Sequence, residues 1–491
     1  MPKRRQPSSL KQLCISDIAW TFERIWWRDY FDNFGDMQCL HVLGPFDALP
    51  SGMVEEIMKV METNGQLQGK YLQILFTDRL RHLHLKGTII TNQIVKLLAQ
   101  RARKLETLHL KYANKISKNL LVNLVENLPA IKELNLTDTK CDDNMLQIIS
   151  LNCPHLVTLS VMNCHGVTDR GVQSICSGQT RKLQNISLQD SGATEQSVIQ
   201  LLRTLPELKE VEIDNNISGL VQVIEEDIVN GKMDSKYGIR KIHWDTSVPL
   251  STHLSLIVDH CPFVTDVTCH GVISGDVLKK LSCIKTMKKL NLSYGHGYAG
   301  HHDLGEFVEF LQEVGIQITD LFLSDTMLMP VREIGVFCLN LKALTMICDG
   351  NLTRARAVQA SEELFHPDSF KKLEIIKLFD NNVIRSEDTV TFLLCQAENV
   401  RILDVHKCMA FTSEGLDAAY QKHGFKQLES LKLDTCHNFD DIDILELMLE
   451  TENKLSVMHL CSCFNITFVH SDELQLALQE GENWDIEYHW E

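Results

Sequence analysis

Cys153-Pro-His-Leu156-Val-Thr-Leu159-Ser-Val161-Met-Asn-Cys164-His-Gly-Val167-Thr-Asp169-Arg-Gly171-Val172 is the stretch from which the rest of the chain can be read. Leu156, Leu159 and Val161 follow the pattern L-x-x-L-x-L. Leu159 and Val161 alternate as the inward residues of a strand do, because successive strand side chains leave opposite faces. Cys164 closes the turn, and Val167 and Val172 then move to helical spacing. The unit is a short strand, a turn and a return helix. Its first apolar position recurs at Leu80, Leu105, Ile131, Leu156, Leu183, Leu208, Ile239, Val264, Met287, Ile318, Leu341, Leu373, Val400, Leu428 and Leu455, fifteen starts separated by 23 to 32 residues. A period of that length marks a stacked repeat array, in which each unit covers its neighbour's apolar face.

The unit resembles the leucine-rich repeat. That resemblance implies an α/β solenoid of horseshoe form, with parallel strands on the concave face and helices on the convex face. The 491 residues would suffice for two or three domains, but the repeat favours one elongated domain. Four regions are expected: a disordered basic tail over 1–8, a helical region over 9–75, about fifteen repeats over 76–465, and a C-terminal cap over 466–491 that includes Leu474, Trp484, Tyr488 and Trp490.

A net charge of −17 argues against a general nucleic-acid surface. Lys3-Arg4-Arg5 is the one compact basic run. No apolar run approaches the 18 residues of a membrane-spanning helix, nor does a signal-peptide core follow Met1. A cytoplasmic and/or nuclear protein is expected. The 16 cysteines sit at repeat positions: Cys164, Cys408, Cys436 and Cys463 each follow the last inward strand residue by three. They read as small buried residues in a reducing compartment. Neither Cys461-Ser-Cys463 nor His301-His302 has partners at ligand spacing, so neither a metal nor another cofactor is expected. No Gly-rich phosphate loop, HExxH or GxSxG is present, and the chain reads as non-catalytic.

The N-terminal region has its own signature. Ser9 and Gln12 fit a helix capping box, and Leu10, Cys14, Ile18 and Phe22 recur every fourth residue, with Leu13, Ile25 and Trp26 beside them. Periodicity alone is satisfied by a capping helix laid on the first repeat. The identities go further: Ser9, Leu10, Cys14 and Ile18 resemble the BC-box, the elongin C-binding helix that reads small-L-x-x-x-C-x-x-x-aliphatic. Burying Leu10 and Ile18 in a partner groove would contribute about 1.5–3 kcal/mol each. Further on, Leu49, Pro50, Met53 and Ile57 resemble the cullin-2 box, with Pro50 suited to a first helical turn.

In this order, ahead of a leucine-rich array, the two boxes are similar to the elongin-binding, leucine-rich substrate receptors of cullin-2 ubiquitin ligases related to the zyg-eleven and zer-one family. The resemblance implies elongin C with elongin B, and cullin-2, as partners, and a protein substrate; neither nucleic acid nor a membrane is implied. It departs at one place. Those receptors carry an armadillo-type region after their repeats, and the sequence here leaves none, so their N-terminal glycine preference is not carried over. Two other readings stand beside it. Ala48-Leu49-Pro50 through Leu75 resembles an F-box, which implies a Skp–cullin-1 ligase but leaves Ser9–Ile18 unexplained. A leucine-rich scaffold outside any ligase would use residues 9–57 only as a cap.

Residues alternating with the inward pair should face the groove. His82, His84, Lys86, Thr107, His109 and Lys111 make one end polar and basic, and Glu210, Glu212 and Asp214 make the sixth repeat acidic. Phe322, Ile347, Ile375, Phe379 and Ile402 are apolar at positions that should face solvent, so they are the expected substrate-docking patch, ringed by Lys377, Asp404 and His406. The long spacer at 347–372 could cover it.

Overall fold

Each of the fifteen starts is buried, and a strand begins two residues after it. The structure is a computed structural model that describes residues 10–35, 44–87, 89–101, 103–213, 216–232, 234–246, 254–294, 304–324, 330–347, 365–379, 387–439, 442–450, 454–463, 465–480 and 486–490. The basic tail, Ser9, Asp214, His301, His302, residues 348–364 of the spacer and Trp484 lie outside the described residues.

Within Gln6–His243 and His260–Pro262, the first of two compact units, lie β1 (His82–Lys86), β2 (Thr107–Lys111), β3 (Glu133–Asn135), β4 (Thr158–Ser160), β5 (Asn185–Ser187) and β6 (Glu210–Glu212). They pair in sequence order, all parallel. β7 (Lys241–Asp245) falls where the units divide. The second unit carries β8 (Asp266–Gly271), β9 (Lys289–Tyr294), β10 (Asp320–Ser324), β11 (Ala343–Ile347), β12 (Ile375–Phe379), β13 (Ile402–His406), β14 (Ser430–Asp434), β15 (Val457–Cys461) and β16 (Glu487–Trp490), again parallel and in order. β16 is one strand more than the repeat pattern predicts: it places Tyr488 and Trp490 beside Met458 and Leu460, so aromatic residues stand where the pattern looks for leucine.

Along each strand the second and fourth residues point into the core, as with Leu83 and Leu85, Ile376 and Leu378, or Leu403 and Val405. The fifth residue after the strand start turns left-handed: Tyr112, Asp138, Asn163, Asp190, Lys407, Thr435 and Ser462 have φ between +46° and +63°. That turn lets the next side chain fold inward. There Cys164, Cys436 and Cys463 each donate a thiol hydrogen bond to a carbonyl of the preceding repeat, from Leu136, Val405 and Leu433 at 3.2, 3.6 and 3.8 Å.

The helices begin on a ladder of their own. Asp142 caps the helix Asp143–Asn152 by accepting from the Met145 amide, and Thr168 and Thr194 cap Asp169–Ser177 and Glu195–Thr204. Asp143 then accepts from the amide and hydroxyl of Thr168, both at 2.7 Å, and Asp169 does the same for Thr194 at 2.9 and 2.8 Å. Each helix start is thereby tied to the next. Gly171 is required by this closeness, because a Cβ there would lie 2.5 Å from Asp143 Oδ1 and 2.9 Å from Leu146 Cδ1.

A helical layer precedes β1. α1 (Leu10–Thr21) runs through a single π turn, Glu23–Trp27, into α2 (Arg28–Phe34), and α3 (Ser51–Thr63) packs against α1. Phe22 is the hub, with ring centroids 5.6 Å from Phe46 and 5.1 Å from Tyr71. From α3, the Glu55 carboxylate accepts from the Arg81 and His82 amides at 3.2 and 3.0 Å. Those donors stand at the entry to β1, so this layer covers part of the sheet's first edge.

Candidate docking surfaces

α1 divides its side chains between two faces. Ile15, Ala19 and Phe22 are buried, and Lys11 pairs with Glu56 of α3 at 2.6 Å. Leu10 is 78% exposed, Cys14 is exposed and Ile18 is half-buried. The single stripe expected from Leu10 to Phe22 is therefore twisted: a four-residue step advances the helix by about 40° beyond a full turn, so three such steps carry the line from the outer face to the core. Two residues share the outer face that the four-residue spacing passes over. Leu13 is 54% exposed and Trp20 is 75% exposed. The sequence reading sets Leu13 beside the stripe but passes over Trp20, whose separation of seven from Leu13 is the signal that would have found it.

The second box is less open. Pro50 stands one residue ahead of α3, at its cap position, and its carbonyl accepts from the Met53 amide at 3.0 Å. Pro50 is exposed, Leu49 and Met53 are half-buried, and Ile57 is fully buried with Val54 and Met61. Ile57 thus holds α3 in place and does not share an accessible face with Met53.

On the open sheet face of the first unit, the histidines of the expected basic end are internally paired. His84 Nδ1 lies 2.8 Å from His109 Nδ1, and His109 Nε2 lies 2.8 Å from Glu133 Oε1. One imidazole of that pair must donate and the other accept, and burial followed by the neighbouring His109 pushes the His84 pKa down. At the acidic end, burial alone would raise the Glu212 pKa, but the Lys241 ammonium bonded to it draws it below its usual range.

The second unit sorts its open face into three rows across the strands. The first row runs Ala343, Ile375, Ile402 and Ser430; the middle row runs Phe322, Thr345, Lys377, Asp404 and Lys432; the third runs Ser324, Ile347, Phe379, His406 and Asp434. All five patch residues are half-buried, each alternating with a buried core neighbour. They do not form one patch. Ile375 and Ile402 lie on one side of the middle row, Ile347 and Phe379 on the other, and Phe322 sits within it. Lys377 and Asp404 pass between the apolar rows where a surrounding ring was expected. The Phe379 ring lies 5.2 Å from the His406 ring, and His406 Nδ1 is 3.1 Å from Asp434 Oδ2.

A family model described as Leucine Rich repeat matches residues 152–176, the stretch that carries Leu156, Leu159 and Val161. The fold is that of a leucine-rich-repeat solenoid. Among solved structures, the chain is similar to that of the Rad7 and Elc1 complex in yeast, at 12% identity and a TM-score of 0.41, over 96% of this chain and 90% of that one. It is also similar to the leucine-rich repeat-containing protein LegL7 from Legionella pneumophila, at 12% identity and a TM-score of 0.37, over 70% of this chain and 98% of that one. The TLR13–ssRNA13 complex aligns at 12% identity and a TM-score of 0.30, over 84% of this chain and 65% of that one. No curated protein matches the sequence.

Proposed function

We propose that this protein is a substrate-receptor subunit of a cullin-RING ubiquitin ligase, a non-catalytic adaptor that α1 couples to elongin C. The observation that carries the reading is the division of α1: its core contacts use Ile15, Ala19 and Phe22, and Leu10 and Cys14, two of the BC-box positions, are left exposed. A helix serving only as a cap would bury its most apolar residues. This one holds Leu10, Leu13 and Trp20 in solvent, where a partner groove would remove them from water. Cullin-2 would meet Leu49, Pro50 and Met53 next to it, with Ile57 acting from the core. The open sheet face, with Phe322, Ile347, Ile375, Phe379 and Ile402, would hold the substrate. Such a receptor accelerates ubiquitin transfer by raising the local concentration of a substrate lysine near the loaded enzyme.

The test is co-purification from cells of the wild-type chain beside a Leu10→Ser, Cys14→Phe double variant, probed for elongin C, cullin-2 and Skp. Elongin C and cullin-2 recovered with the wild type and lost from a folded variant is the expected result. Skp bound to both would make the chain an F-box receptor, and a folded protein with neither adaptor would make it a scaffold. Phe379→Asp with Ile402→Asp should abolish substrate capture and leave elongin C bound.

A further inference from the structure

Strand β12 presents Ile375, Lys377 and Phe379 on the open face, each half-buried. At about 3.3 Å per residue, Ile375 and Phe379 stand about 13 Å apart, with Lys377 midway. Neighbouring strands widen both ends: Ile402 lies beside Ile375 in the register, and Ile347 lies beside Phe379. Lys377 has no hydrogen-bond or ion-pair partner among the described residues, and neither has Lys432 two strands away. Between them Asp404 holds a buried Oδ1 that accepts no hydrogen bond. Two cations flanking one carboxylate leave the middle row positive, in a chain whose net charge is −17.

We propose that this face takes an extended peptide, laid along β12, of the pattern apolar-x-acidic-x-apolar. The proposal rests on the reading of this face as the capture surface and names its substrate class. An extended chain repeats every second side chain on one face at about 6.6 Å, so its first, third and fifth residues reach the first row, Lys377 and the third row in turn. A helix follows the rows less well: its residues i, i+4 and i+8 span about 12 Å but drift by about 80° around the axis, whereas alternate residues of an extended chain stay on one face. The acidic side chain supplies the partner Lys377 lacks.

The experiment uses the full chain and fluorescein-labelled nine-residue peptides followed by anisotropy. The parent is Gly-Ser-Leu-Thr-Glu-Thr-Leu-Ser-Gly. Replacing its Glu with Gln should weaken binding about three- to fivefold, as for a solvent-exposed ion pair. Replacing it with Lys should weaken it more, and replacing either Leu with Ala should cost about tenfold. In K377E the central preference should reverse, with Lys bound better than Glu. Equal binding of a peptide whose leucines are three apart, an unchanged preference in K377E, or no binding below millimolar would each overturn the proposal. Elongin C co-purification with the same protein reads the docking helix separately. Loss of the peptide series with elongin C and capture intact would defeat this inference alone.

Discussion

At the scale of single residues, the chain shows where a repeat tolerates identity and where it does not. The turns after seven of the strands hold a left-handed, side-chain-bearing residue, a conformation that costs about 1–2 kcal/mol. Asn163 and Asp138 suit it, since Asn and Asp visit that region with local hydrogen bonding. Thr435, at φ +56°, is β-branched and does not. Thr435→Gly should therefore raise the thermal midpoint. Relief of the strain exceeds the added chain entropy of Gly, about 0.5–1 kcal/mol, by a margin of up to about 1 kcal/mol. A midpoint that falls would show that the Thr435 side chain, whose hydroxyl is 2.5 Å from Asp434 Oδ1, matters more than its backbone.

At the scale of elements, two features are open to substitution. The first is the division of α1. Leu10→Asp and Trp20→Ala should leave the unfolding free energy from urea titration within about 0.5 kcal/mol of wild type while weakening partner binding, as expected of exposed positions. Ile15→Asp, by contrast, places a charge against α3 and should cost several kcal/mol. Equal destabilisation by Leu10→Asp would mean that the helix faces are not as described. The second is the cap ladder. Asp169 accepts from the Thr194 amide and hydroxyl and from the Ser197 hydroxyl at 2.5 Å. Burial would raise its pKa, but the Ser197 and Thr194 donors together hold it below the ordinary carboxylate range. Asp169→Ala should cost about 2–3 kcal/mol at neutral pH, read by urea unfolding. The stability that Asp169 contributes is present above about pH 4 and is lost as pH falls below that, so wild type and variant should converge in acid.

At the scale of the molecule, histidines set a separate acid response. Burial first and Lys241 second push the His243 pKa down to about 4, and burial lowers those of His84 and His423. The neutral imidazoles are therefore favoured by the folded state, whereas the unfolded chain takes up protons near pH 6.5. Stability is complete above that value and declines as pH falls from about 6.5 towards 4, by at most about 3 kcal/mol for His243. Circular dichroism melts of the wild type and His243→Asn between pH 7 and 4.5 should show the flatter profile in the variant. Parallel profiles would remove His243 as the source.

The repeat was legible because its period and its inward leucines are local in sequence: fifteen starts could be counted, and each is buried just ahead of a strand. β16 was not legible, because Tyr488 and Trp490 fill its inward positions and break the leucine pattern. The candidate site was legible only in part. The box residues could be listed from their identities, but a four-residue spacing does not say when a helix has rotated into its core. Only packing on α3 and around Phe46 and Tyr71 decided that Leu10 faces out and Phe22 in, and that Ile57 is core. Likewise the five apolar groove residues were chosen one strand at a time. Their order across strands depends on register, a non-local property set by hydrogen bonds between residues up to 32 positions apart. Sequence alone determined the strand–turn–helix unit and its number of predicted starts. Tertiary structure decided the faces, because which side of an element meets water depends on what the distant chain packs against it.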